Sequence, residues 1–261
     1  MEVGMFPTLL SLGLIGGFMS GLLGIGGGII MVPLLLYVPA MVGVGTLSMK
    51  TVAGITSMQS FFGAVSGAIG HKRYNRISMP LAMGVGGSTT IGALLGSIIS
   101  AYLSSEIILM VFASMAIVAA IMMLIPNRET GSEIQIENLQ FNKPLAVTVG
   151  AVVGLLSGII GQGGAFLFVP AMLYILHIPT RITIGTTLAV GIVSSAAVLI
   201  GRAGTHQIPY LMSAVLVTGV LIGAQLGSIL SQKTPQRLLR GVLSVLIAAT
   251  AIKIWYELLL S

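Results

Sequence analysis

The chain has no cysteine and no aspartate. The first absence excludes disulfides, thiolate metal sites and cysteine nucleophiles. The second excludes a Ser-His-Asp relay. Charge of either sign is also scarce. Only 7% of the 261 residues are charged, against about 25% in a soluble domain. With 56% hydrophobic residues, too little charge remains to cover a soluble fold of this size, so the composition is that of an integral membrane protein. The six glutamates are Glu2, Glu106, Glu129, Glu133, Glu137 and Glu257. All fall at termini, in polar stretches or at the ends of apolar runs. None is placed at mid-membrane, where cation carriers and proton pumps usually need a carboxylate. The substrate class this leaves is neutral or anionic. The net charge of +6 is assigned to membrane orientation and anion attraction, with no nucleic-acid partner. The N-terminus, MEVGMFPT, has no basic n-region, and no small-residue cleavage site precedes the first glycine cluster, so no removable signal peptide is expected. His71, His177 and His206 are scattered in loops, and no metal site is expected.

What the chain has in abundance is glycine, 35 residues in all, and part of it is written twice. Residues 20–37 read SGLLGIGGGIIMVPLLLY and residues 157–174 read SGIIGQGGAFLFVPAMLY. The offset is constant at 137 positions. An apolar run cut by a glycine cluster and then by proline is a poor continuous helix. Paired broken segments in corresponding places of two halves point to a transporter binding site. The repeat continues as GALLGSIIS at 92–100 and GAQLGSILS at 223–231, now offset by 131. At that offset Lys50 falls on Arg181 and Thr56 on Thr187. The four-residue spacing of Gly92/Gly96 and Gly223/Gly227 predicts flat helix faces for close packing rather than a ligand role.

Apolar runs fall at 6–23, 29–39, 48–69, 79–101, 106–125, 144–160, 164–176, 183–200, 209–231 and 236–259. A full helical span takes about 20 residues, so 29–39 and 164–176 are short. Charge decides whether they cross separately. With eight crossings, six Lys/Arg face one side and five the other. With ten, one side holds Lys72, Arg73, Arg76, Arg128, Lys143, Arg181, Lys233, Arg237 and Arg240, and the other only Lys50 and Arg202. Nine against two fits the positive-inside rule. Five crossings per half also turn the second half upside down. The expectation is therefore an all-α membrane protein of two inverted repeats of about five segments each, with broken helices at the glycine motifs. An N-terminal repeat spans 1–125, a polar cytoplasmic linker 126–143, and a C-terminal repeat 144–261. Both termini are then outside.

Candidate substrate-binding groups follow from the breaks. A helix restarting at Gly26–Gly28 offers unpaired N–H groups and a positive dipole end to an anion. Gly24, Gly26 and Gly27 in the first copy correspond to Gly161, Gly163 and Gly164 in the second, and Gly28 to Ala165. The two N-termini are expected to converge on one site, one half rocking against the other about it. Ser20 and Ser157 precede the breaks, and Gln162 adds an amide in the second copy alone. Thr51, Thr56, Ser57, Gln59 and Ser60 open the next helix of the first half. Thr183, Thr186, Thr187, Ser194 and Ser195 lie on its counterpart. Hydroxyls and amides suit a partly dehydrated oxyanion, although each single Ser or Thr more often bonds back to its own helix. Lys50 and Arg181 either recruit the anion by steering or snorkel to the interface.

At SGLLGIGGGIIMVPLLL, its second copy SGIIGQGGAFLFVPAML, RITIGTTLAV and GAQLGSILS, the chain resembles the sulfite exporter TauE/SafE family of membrane permeases. The resemblance covers essentially the whole chain. It implies a bacterial or archaeal inner-membrane permease for sulfite, sulfoacetate and related sulfonates, with no organic cofactor. The stretch SMKTVAGITSM departs from the simpler small-residue and threonine pattern of many relatives. An anion channel of the same architecture is the rival reading. An intramembrane enzyme lacks the residues it would need. The expected partners are the small anionic substrate and the lipid bilayer, and a homo-oligomer is left open.

Overall fold

In hydrocarbon every backbone polar group must be satisfied within its own segment, so apolar runs fold as helices. The computed structural model describes residues 4–23, 28–70, 79–124, 142–162, 165–178, 180–231, 249 and 252–256, and every regular element among them is helical. The elements are α1 (Met5–Leu23), α2 (Gly28–Met41), α3 (Met49–Gly70), α4 (Met79–Ile99), α5 (Ser105–Leu124), α6 (Lys143–Ile160), α7 (Ala165–Pro170), α8 (Thr180–Gly204) and α9 (Tyr210–Ser231). Among the described residues four segments are long and apolar enough to cross a membrane: Met5–Leu22, Ser105–Met122, Lys143–Ile160 and Tyr210–Leu230. Ile30–Met41, Met83–Ile99 and Ala189–Gly204 are shorter apolar helices. After Pro170 the α7 helix widens into a π turn, Ala171–Ile175, because the proline ring disrupts the regular ladder. The linker 126–143 lies outside the described residues except for its last two.

The surface is the reverse of a soluble protein's. Met83, Ile91, Ile121, Val193, Ile200 and Ile222 point outward and are exposed, while Thr56, Gln59, Thr186, Ser194 and Arg202 are buried. Large apolar side chains facing lipid cost nothing, and polar ones are kept away from it.

Between helices in lipid, attraction depends on close approach, which small residues permit. Two helix pairs use this. Gly13, Gly17 and Gly21 of α1 lie against the backbone of α9 at Leu216, Val220 and Ala224. Gly223 and Gly227 of α9 lie against the α1 backbone at Leu14, Phe18 and Leu22 in return. The second pair repeats the pattern. Gly150, Gly154 and Gly158 of α6 meet the backbone of α4 at Val85, Thr89 and Ala93, and Gly92 and Gly96 of α4 meet α6 at Ala151, Leu155 and Ile159. Each contact of one pair maps onto a contact of the other by the offsets of 137 and 131 that relate the two copies. The GAxLGS glycines are thus packing residues, as their spacing predicts. In both pairs residue numbers rise together, so α1 runs parallel to α9 and α4 parallel to α6.

The same reasoning orients the rest. Gly63 of α3 meets Val220 and Ser20, and Gly54 meets the Gln207–Pro209 segment before α9, so α3 runs with α1 and α9. Gly86 meets Val190 and Gly201 meets Ser97, so α8 runs with α4 and α6. Gly4 meets Val44 and Gly16 meets Met31, so α2 returns antiparallel alongside α1. A separate α2 is what the positive-inside count favoured. The last run is tied down by Ile254, fully buried, and by Lys253, whose Nζ lies 3.6 Å from the centroid of the Tyr37 ring on α2.

These contacts predict a sharp contrast between glycines. Gly96→Ala places a Cβ into the Leu155 carbonyl and is expected to destabilise by about 1–3 kcal/mol, as overpacking does. Gly87→Ala meets nothing within 4 Å and should leave the melting temperature of detergent-solubilised protein unchanged or raised. Equal effects of the two would refute the close backbone packing.

Candidate functional site

The second glycine break is a helix ending. The α6 helix stops at Gly161, which is left-handed (φ 89°). Its N–H bonds the Gly158 carbonyl and that of Gln162 bonds Ser157, the paired bonds of a Schellman turn. Only glycine takes this conformation without strain, and a Cβ at Gly161 would also collide with the Ala53 carbonyl of α3. Gly24, Gly26 and Gly27 of the first break, and Gly163 and Gly164 of the second, lie outside the described residues. Gly28 is the first residue of α2.

The described residues that flank the two breaks touch α3 at different levels. Ser20, four residues before the first, lies beside Gly63, while Gly161 lies on Ala53. Along α3 these contacts are ten residues apart, about 15 Å at helical rise. Helix α2 runs back toward the end of the bundle where Gly161 sits. From that end α7 runs the other way, bringing Met172 within 3.7 Å of Thr187. The described parts of α2 and α7 therefore run in opposite directions along the bundle. The expectation of one anion held between both N-termini rests on Gly26, Gly27, Gly163 and Gly164, which lie outside the described residues.

What the fold does bring together is α3 and α8. They run in opposite directions and correspond in the repeat. Thr56, Ser57, Gln59 and Ser60 of α3 are buried, as are Thr183, Thr186, Thr187, Ser194 and Ser195 of α8. Most hydroxyls bond back to their own helix: Thr56 to Ala53, Ser57 to Gly54, Thr187 to Thr183, Ser194 to Gly191 and Ser195 to Ile192. Ser157 does so to Val153. Ser60 Oγ and Thr186 Oγ1 have no hydrogen-bond partner among the described residues. Thr56 lies near the end of the α3/α8 seam closed by Gly54 against Gln207. Thr187, twenty residues before Gln207, lies near the other end, on the order of 20 Å away.

The predicted cations divide differently from expectation. Lys50 is half-buried, and its Nζ donates to the Ala101 carbonyl just past α4 at 3.1 Å, a snorkelling cation on a helix C-terminus. Thr51 lies in the first turn of α3, its N–H donating to Oγ of Ser48, the N-cap, at 3.2 Å. The Arg181 side chain lies outside the described residues. Arg202, assigned from the sequence to an outer loop, is in the last turn of α8 and fully buried. Its guanidinium donates to Gln207 Oε1 (2.9 Å), Ile159 O (2.7 Å) and Gly158 O (3.3 Å). It therefore caps the C-terminus of α6 beside the break. Gln207 donates in turn to the Ser97 carbonyl and Thr205, and accepts from Ser100. His177 and His206 are exposed loop residues with positive φ. No cluster of metal-ligating side chains occurs among the described residues.

The family model described as sulfite exporter TauE/SafE matches residues 9–254, over a chain of apolar helices with a buried polar seam. The chain belongs to this family. It is 26% identical over 231 residues to the probable membrane transporter protein YdhB of Bacillus subtilis, covering 87% of this chain and 91% of that one. It is 29% identical over 240 residues to a probable membrane transporter protein of Xylella fastidiosa, covering 90% and 89%. YunE of Bacillus subtilis, another probable membrane transporter protein, is 21% identical over 267 residues, covering 97% and 98%. No solved structure matches significantly. Membership of TauE/SafE, with these helices, makes the chain a multi-pass membrane protein of a transporter family.

Sequence reasoning missed Arg202 because a cation at the end of an apolar run reads as a boundary. One signal was present: at offset 131 Arg202 falls on His71, each directly after a repeat glycine, Gly201 or Gly70. The Gly161 turn gives a direct prediction. Gly161→Ala combines left-handed strain of about 1–2 kcal/mol with the Ala53 collision. A lowered thermal midpoint is expected, and an unchanged one would refute the tight turn.

Proposed function

We propose that this chain is a secondary transporter of the inner membrane that moves small sulfur-containing anions, such as sulfite, sulfoacetate or related sulfonates, by alternating access. The observation that carries this reading is the α3/α8 seam, where buried hydroxyl and amide groups face an interior in which the described helices place no carboxylate. Such donors can replace the water around an oxyanion, and no fixed negative charge repels it. Ser20, Thr56, Ser57, Gln59, Ser60, Thr186, Thr187 and Ser194 are the candidate contacts along this path. Family membership and the names of the relatives support transport. The sulfur anion is the finer reading.

Reciprocal packing supports an inverted repeat. The first helix of each half pairs with the fourth of the other, and α1, α3 and α9 oppose α4, α6 and α8 in direction. This alters the expected motion. One half cannot rock against the other while glycine-lined backbones lock α1 to α9 and α4 to α6. The moving bodies are instead α1–α3–α9 and α4–α6–α8, each built from both halves, and they part along the α3/α8 seam. A permanently open channel is less well supported, because Gly161 on Ala53 and Gly54 on Gln207 bring backbone against backbone at one end of the seam.

Uptake of labelled sulfite and sulfoacetate into proteoliposomes tests the substrate. Protein-dependent flux, reduced by Gln59→Leu, is expected. No flux of any sulfur anion would reject the reading. The moving bodies have their own test in this cysteine-free chain. Ser66 of α3 and Gln225 of α9 are in side-chain contact (2.9 Å). Joining S66C to Q225C with a short bis-maleimide, which adds to both thiols, ties the two halves within one body. Transport should survive, whereas rocking of half against half requires arrest.

A further inference from the structure

An ionisable side chain inside a membrane domain is a functional group by default, and Arg202 is the largest fully buried side chain of the described residues. All its partners are neutral: two main-chain carbonyls of α6 and the Gln207 amide oxygen. Its Nε has no partner among the described residues. The chain contains no aspartate, and no glutamate lies between Glu137 and Glu257. The helix dipole of α6 supplies only about half a negative charge. A full positive charge is thus held in place with its Nε–H unused and no counter-ion among the described residues.

Its position is as informative as its charge. Gln207, which takes one arm of the guanidinium, presses its backbone carbonyl on Gly54 of α3, and Gly161, two residues past Ile159, presses on Ala53. Arg202 therefore stands directly behind the two contacts that close the seam at this end. Parting the bodies there withdraws α3 and uncovers Gln207 and the guanidinium behind it.

Resting on the transport reading above, we propose that Arg202 is the charge-selecting residue of the permeation path: an oxyanion entering at this end pairs with its guanidinium, taking the place of Gln207. An arginine fork suits a planar or tetrahedral oxyanion with two adjacent oxygens. Neutral analogues of the same shape gain nothing from it. The α6 carbonyls keep the side chain in place while the mouth is closed.

The test is half-saturation of labelled sulfite uptake in proteoliposomes by wild type, R202Q, R202K and Q207E. R202Q removes the charge, and Q207E keeps the shape of the amide while supplying a resident carboxylate. Both are expected to raise the half-saturating concentration about tenfold or more, the worth of one charge-assisted hydrogen bond, with turnover at saturation little changed. R202K should recover part of the loss. A residue that only caps α6 would instead lower thermal stability in R202Q with half-saturation unchanged, and that result overturns the proposal. Should R202Q fail to fold, Q207E with wild-type half-saturation overturns it equally. Wild-type vesicles that carry no anion overturn the transport reading itself, and this inference with it.

Discussion

Backbone-to-backbone contact between glycine-lined helices is the constraint on which the rest of this structure depends. Lipid tails are as apolar as leucine, so burying leucine drives no association in the membrane. Attraction must come from dispersion and from closely opposed peptide groups, and both vanish within an ångström or two of separation. Gly13, Gly17 and Gly21 against α9, and Gly150, Gly154 and Gly158 against α4, remove the Cβ atoms that would keep those helices apart. Both interfaces join the first half of the chain to the second. The same glycines that hold the fold together therefore decide which helices travel as one body.

Polarity inside the bundle is handled at low cost. Most seam hydroxyls satisfy themselves on a carbonyl three or four residues back, so they can be buried without partners across the seam. A ligand can then compete for their lone pairs and protons without breaking helix-to-helix bonds. Lys50 and Arg202 both rest on helix C-termini, where the dipole offsets part of their charge. Lys50 reaches the surface by its flexible stem. Arg202 has no such exit.

Much of the architecture was legible in the residues. Apolar runs located the helices to within a few residues, because a lipid-exposed backbone has no other way to satisfy itself. The short run 29–39 was recognised as a segment of its own from the Lys and Arg tally, and α2 does run back along α1. The four-residue glycine spacing identified packing faces. Partners were not legible. Nothing in GAQLGSILS says that it meets Gly13–Gly21 rather than its own half, since a flat small-residue face fits any other.

The candidate site divides in the same way. Composition and pattern by themselves determined the membrane setting, the scarcity of carboxylates within the apolar runs and the identity of the polar residues along α3 and α8. These are properties of single segments, set by periodicity and transfer energy. Only the tertiary structure decided that α2 and α7 run in opposite directions, that α3 and α8 are helices that meet, and that Arg202 is buried behind their closed end. Those depend on helix direction and on which face approaches which neighbour. Such facts arise from contacts between different helices, some more than a hundred positions apart, and no local pattern encodes them.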